Sequence, residues 1–275
     1  MNLQELLGGR KNKLADPRVA RIRMYLNNLA VFFIVAMIWL ALTIATDTFG
    51  TVNNITNVLR QSSLWSIIAI GQTVVLITAG IDLSIGSVVG LTSCIVALML
   101  NKGYPISVSV IFTMLCGLGV GAIHALGITK GRLPPFIMTL AGLTGWFGVA
   151  LLITGAMPIG NLPADFKEFS RGDFIGIPNL FWCVIGIMVP TYIILNHTPL
   201  GNHLYAIGSN MPGSELNAVP VTRTIFFAYM FSGFCASVVG ILVAARLSLG
   251  IASNGFTWEL KAVASSVIGG TSLFG

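Results

Sequence analysis

Charge is what this 275-residue chain has least of: Asp, Glu, Lys and Arg together make up 9% of it, nine acids against fifteen bases. Soluble domains carry about a quarter of such residues. With 55% hydrophobic residues and a mean hydropathy of +0.88, the shortage excludes an ordinary soluble domain and makes lipid the natural solvent. Cysteine is scarce as well. Cys94, Cys116, Cys183 and Cys235 each lie inside an apolar run, without C-x-x-C spacing, so they read as small apolar filler rather than a disulfide framework or a metal site. The three histidines, His124, His197 and His203, have no Ser, Cys or carboxylate at a recognisable spacing, which leaves no catalytic constellation. There is also no G-x-x-x-x-G-K-[ST] segment, so any nucleotide-driven work requires another polypeptide.

The bases are unevenly placed. Six of the fifteen (Arg10, Lys11, Lys13, Arg18, Arg21 and Arg23) precede the first apolar run, which explains the net charge of +6 without a nucleic-acid partner. Residues 1–26 therefore read as a cytoplasmic anchor, since basic flanks are retained on the cytoplasmic side. Apolar runs follow at about 29–46, 63–79, 83–100, 105–127, 136–154, 179–196 and 224–245, with one more from about 260 onward. Because a bilayer core needs about 20 apolar residues per helix, the expected fold is all-α, a polytopic transmembrane bundle of about 8 visible spans. Lys130, Arg132 and Arg223 fall on the inside of the resulting alternation, and the acid-bearing loop 155–178 falls outside. Residues Asn53 to Leu59 read as a short interfacial segment before the second span.

Glycine is plentiful, at 31 residues. Gly117 with Gly121, Gly233 with Ser237 and Ala236 with Gly240 form small-xxx-small pairs that let helix backbones approach in lipid. Pro134–Pro135 should set the start of the fifth span, and Pro190 should kink the sixth.

One acid stands alone in oil. In "LITAGIDLSIGSVVG", Gly80 can break the second span, and Asp82 can accept from the free amides opening the third helix at Leu83, Ser84 or Ile85. The alternative sets Asp82 beside a solute path, because ionisable groups at membrane depth usually face a cavity or a partner. Gln72, Thr73, Ser84, Ser87, Thr139 and Thr144 supply the other polar side chains suited to passing hydroxyl contacts. A second polar stretch, 197–223, is long and too apolar for a plain solvated linker, with a short helical reading from about Ser214 to Val219. It is either an interfacial connection or a docking segment.

Four ordered stretches carry a resemblance. "GQTVVLITAGIDLSIGSVVGLTS", "LPPFIMTLAGL", "TPLGNHLYAIGSN" with "VPVTRTIFFAYMFSGFCASVVGILVAARL", and "WELKAVASSVIGGTSLFG" resemble the membrane permeases of bacterial ABC importers for simple sugars. The resemblance implies a two-permease pore, a homo- or heterodimer in the bacterial inner membrane, fed by a periplasmic sugar-binding protein. Cytoplasmic ATP-binding subunits would hold ATP and Mg, so this chain would carry no cofactor and no enzymatic activity. It also implies that 197–223 is the coupling loop, with Gly208, Asn210, Gly213, Glu215, Leu216 and Ala218 facing the ATPase. From their polarity within apolar runs, Gln72, Asp82, Ser84 and Thr139 are the candidates for the substrate pathway. Relatives usually carry an alanine pair, a basic residue and a later glycine where this chain has Gly213–Ser214, Glu215 and Ala218. Relatives also continue for about two further spans beyond Gly275, so the domain 27–275 is expected to be an incomplete bundle. Permeation of a branched-chain amino acid, a nucleoside or an autoinducer-type furanose, and a stand-alone secondary transporter, are the alternatives.

Overall fold

A computed structural model describes the backbone of residues 17–275, with side chains from Val31 onward. Arg10, Lys11 and Lys13 of the expected basic anchor lie outside the described residues. The chain divides into two compact units, ending and beginning at Asn57 and Val58.

The first unit contains helix α1, Pro17–Ala45, and the start of α2, Val52–Ile77. From Val31 to Ala45 the α1 side chains are apolar and outward-facing, with Phe32 at 76% and Ile44 at 79% exposure. Thr43 and Thr46 return their hydroxyls to the Trp39 and Leu42 carbonyls, so they leave no open donor on an apolar face. The expected separate segment Asn53 to Leu59 is instead the opening of α2. Polar Arg60, Gln61, Ser62 and Ser63 interrupt the apolar run there but not the helix.

The second unit comprises the rest of α2, then α3 (Ile85–Asn101), α4 (Ile106–Thr129), α5 (Pro135–Thr154) and α6 (Ala164–Arg171). A two-residue hairpin follows, β1 (Asp173–Phe174) antiparallel to β2 (Ile177–Pro178). The order continues with α7 (Asn179–His197), α8 (Pro199–Ser209), α9 (Met211–Leu216), α10 (Val221–Leu247) and α11 (Trp258–Ile268). The fold is an all-α membrane bundle. Among the described residues four helices, α4, α5, α7 and α10, are long and apolar enough to cross a membrane. Of the other expected spans, α1 is apolar from Val31 to Ala45, α3 is 17 residues long, α11 is 11, and α2 carries a polar opening.

Helix α10 is the axis of this unit. Of its membrane-length window 72% is buried, against 28% or less for α4, α5 and α7, whose outer faces present apolar side chains. Lipid gives no hydrophobic reward for helix contact, so close van der Waals approach has to hold the bundle. Gly117 and Gly121 of α4 provide it: a methyl group on either would collide with the Gly233 or Tyr229 carbonyl of α10. The Pro134–Pro135 pair opens α5 as expected, whereas α7 runs through Pro190 as one helix. Because α10 spans about 40 Å, its ends define two poles of the unit. Leu204 and Ile207 of α8 pack near its N-terminus, with Val221 and Ile225. Phe166 of α6 packs near its C-terminus, with Ile241 and Ala245.

Candidate functional site

Helix α2 stops at Ile77 and α3 starts at Ile85, and the seven residues between them belong to neither helix. The stop is a left-handed turn. Ala79 adopts φ +56°, with its N–H donating to the Leu76 carbonyl (2.9 Å) and Gly80 N–H to that of Val75 (3.3 Å). Gly80 has no side chain because a Cβ there would lie 2.7 Å from the Tyr229 hydroxyl. Irregular backbone inside a membrane protein survives only where protein groups satisfy it. Here side chains do so. The Ile81 carbonyl accepts from Thr139 Oγ1 (3.2 Å) and the Tyr229 hydroxyl (3.3 Å). With its amide nitrogen turned to the Asp82 carbonyl, Gln72 bonds both backbone groups of Asp82, at 3.1 and 3.3 Å.

Asp82 is the centre of this arrangement and is 2% exposed. Its Oδ1 accepts from the Ser84 N–H (2.9 Å) and the Ser84 hydroxyl (2.6 Å), and its Oδ2 accepts from the Ser232 hydroxyl of α10 (2.7 Å). Capping is thus only half of its geometry; the other half ties the break to a helix 150 residues away. The network extends outward from Ser84. Trp146 Nε1–H donates to His124 Nε2 (2.9 Å), and indole can only donate, so Nε2 is the bare nitrogen of a neutral ring. His124 Nδ1–H then donates to Ser84 Oγ at 3.4 Å, and Ser84 passes its own proton toward Asp82.

The four residues expected along a substrate path, Gln72, Asp82, Ser84 and Thr139, are therefore brought together. None is more than 2% exposed, and each places a polar atom at this break, with Thr139 sharing its hydroxyl between the Ile81 carbonyl and, at 2.9 Å, the Pro135 carbonyl of its own helix. Sequence reading missed Ser232, Tyr229 and Trp146 and found no partner for His124. They sit on other helices, 22 to 150 residues from their partners, where no spacing rule applies.

The polar stretch 197–223 is two helices rather than a loop. Thr198 caps α8 by accepting from Gly201 N–H (3.3 Å), and Asn210 caps α9 by accepting from Gly213 N–H (3.1 Å). That second cap starts α9 at Met211 instead of near Ser214, and Ala218 ends the turn at φ +57°. Asn210, Glu215 and Leu216 face outward, Leu216 at 89% exposure. Gly208 is the exception. It is pressed so closely against the Ile77 carbonyl that a methyl group would overlap it, which seats α8 on the last residue of α2 before the break. A cavity of about 770 Å³ lies between the two regions, walled by Thr78, Gly80 and Tyr229 on one side and Asn210 and Glu215 on the other.

Fold and site together define a helical integral-membrane protein built around an unwound, side-chain-satisfied segment. The family described as branched-chain amino acid transport system / permease component matches residues 54–275, and the chain belongs to that family. Ribose import permease protein RbsC of Haemophilus influenzae is 36% identical over 273 residues, covering 96% of this chain and 82% of the relative. RbsC of Bacillus subtilis is 36% identical over 224 residues, 81% of this chain and 70% of the relative. The autoinducer 2 import system permease protein LsrC of Yersinia enterocolitica is 32% identical over 220 residues, 80% and 61% of the two chains. No solved structure matches.

Proposed function

We propose that this chain is the membrane-spanning permease subunit of a bacterial importer for a simple sugar, with ATP hydrolysed by separate cytoplasmic subunits. The observation that carries the reading is the 36% identity to a ribose import permease along 96% of the chain. A furanose signal molecule is the second reading, carried by the 32% identity to LsrC. The chain lies in the inner membrane with its N-terminus cytoplasmic, pairs with a second permease to form the conduit, and receives solute from a periplasmic binding protein.

In this reading α9 is the part that meets the ATPase. Its exposed Leu216 offers an apolar knob and Glu215 a charge beside it, a combination suited to a cleft on a soluble partner. Movement of α9 reaches the membrane through α8, because Gly208 rests on Ile77 and two tightly seated backbones move as one body. The Asp82 network then keeps the break between α2 and α3 folded while the bundle shifts around the conduit. Affinity resides in the binding protein, so the permease needs only weak contacts that release solute inward.

Reconstitution of the chain in liposomes with its ATPase and binding protein, followed by labelled-ribose uptake, tests the reading. Uptake should require ATP and both partners. Uptake that persists without any ATPase would replace the importer by a stand-alone transporter.

A further inference from the structure

The C-terminal end of α10 meets more positive charge than its neighbours neutralise. Arg60 of α2 donates through Nη2 to the Arg171 carbonyl (2.7 Å) and to Asp173 Oδ1 (2.9 Å), and Arg171 of α6 donates through its own Nη2 to Ser248 Oγ (2.9 Å), just past α10. Asp173 is thus taken. Arg60 Nε is buried and has no acceptor among the described residues, and the half-buried Arg246 in the last turn of α10 makes no ion pair among them; what it faces is the like charge of Arg60. The acid on the first turn of α11, Glu259, is turned toward Gly86 of α3. Two guanidinium groups held near each other with one carboxylate between them mark a place where a further anion is received.

The surroundings say which anion. A groove of about 250 Å³ is lined by Arg246 and Gln61 and otherwise by apolar side chains of α2, α10 and α11, Trp65, Leu247 and Trp258 among them. Trp65 and Trp258 stack with ring centroids 4.9 Å apart and planes at 26°, and Lys261 Nζ lies 4.3 Å from the Trp65 ring centre. Tryptophan is enriched where acyl chains meet headgroups. Helix length gives the same depth: the 27 residues of α10 span about 40 Å against about 30 Å of hydrocarbon, so its last turn, which carries Arg246, reaches the layer of lipid phosphates. A free phosphate would have to shed water to enter between apolar walls. A phospholipid offers its phosphate to Arg246 and Gln61 and its acyl chain to Leu247, which is 51% exposed. The surplus of cations selects further, because a headgroup ammonium would stand beside Arg60, Arg246 and Lys261, whereas the terminal glycerol of phosphatidylglycerol brings hydroxyls and no charge. At about 30 Å³ per water the groove corresponds to about eight waters, the scale of one glycerophosphate group.

We propose that Arg246, with Gln61, Trp65 and Trp258, binds the headgroup of an anionic phospholipid at the C-terminal end of α10, in the field of Arg60. The full chain would be loaded in mixed micelles with equimolar phosphatidylglycerol and phosphatidylcholine of matched acyl chains, and the lipid it retains counted by native mass spectrometry. Phosphatidylglycerol should be retained in excess. R246Q should cut that excess by about tenfold, the loss expected for a charge-assisted hydrogen bond, and R246K, which keeps the charge but loses the fork, should cut it less. K102Q removes an exposed cation that does not line the groove and should change nothing. Tryptophan quenching by bromine-labelled lipid serves as a second readout on the unsubstituted chain should R246Q fail to fold; phosphatidylglycerol should quench more than phosphatidylcholine. Equal retention with equal quenching, or an excess that falls as far in K102Q as in R246Q, overturns the site. An excess abolished by added inorganic phosphate would make the occupant a free anion and overturn the lipid assignment. Arg246-dependent capture of a soluble acidic protein, with no lipid preference, would overturn it as well.

Discussion

Replacing Asp82 by Ala should be among the most damaging single changes in the bundle. The substitution strands three buried donors at once: the Ser84 N–H, the Ser84 hydroxyl and the Ser232 hydroxyl. Each buried donor left open costs about 1–3 kcal/mol. The two hydroxyls can turn back to carbonyls of their own helices, so the N–H bears the full penalty and the sum falls at about 2–5 kcal/mol. Asp82→Asn differs in kind. Its Oδ1 still accepts from Ser84, and its NH₂ faces Ser232 Oγ, which rotates to accept, so only the charge assistance is lost, about 1–2 kcal/mol. The assay is reversible unfolding in mixed micelles, followed by far-UV circular dichroism, with a double-mutant cycle between Asp82→Asn and Ser232→Ala. A coupling of about 1 kcal/mol is expected. An Asp82→Ala protein within about 0.5 kcal/mol of the unsubstituted chain, or a cycle closing at zero, would refute the tie between the break and α10.

Three further outcomes follow from the geometry. Gly121→Ala should destabilise by about 1–3 kcal/mol, because its methyl group meets the Tyr229 backbone, while Gly119→Ala, which meets nothing, should be neutral; thermal unfolding of the pair separates packing from helix propensity. Ala79→Gly and Ala218→Gly should each raise stability by about 0.5–1 kcal/mol by relieving a left-handed backbone at φ +56° and +57°, readable as a higher melting temperature; a lower one would mean that the turns are not strained. Leu216→Asp on the exposed tip of α9 should leave folding intact, since the side chain is 89% exposed, and lower transport-coupled ATP hydrolysis in the reconstituted assembly at least about tenfold if that knob fills an apolar cleft.

Much of the architecture is written locally and was therefore legible. Apolar runs marked the helices, the proline pair marked the start of α5, and the spacing of Gly117 and Gly121 marked the close face of α4. Polarity within apolar runs also picked out Gln72, Asp82, Ser84 and Thr139, which the fold gathers into one cluster. The residues that complete the cluster were hidden. Ser232 and Tyr229 are one hydroxyl and one phenol among many, and only the packing of α10 against the break gives them partners. His124 looked solitary because its neighbours arrive from α3 and α5. The α9 start was misplaced for a related reason, since Asn210 becomes a cap only once its side chain folds over Gly213. Hydropathy marked eight apolar runs, of which four are continuous helices of spanning length and composition among the described residues.

The unwound segment has a mechanical consequence. Its groups are held by α2 through Gln72, by α5 through Thr139, by α10 through Tyr229 and Ser232, and by α4 through His124 acting on Ser84. Four helices thus share one knot, and rotating any of them about its own axis must first tear a buried bond. These helices are keyed to one another like wheels on a common shaft. Conformational work that leaves the knot tied can turn this block only as a whole, so the give in the molecule belongs at the block's borders.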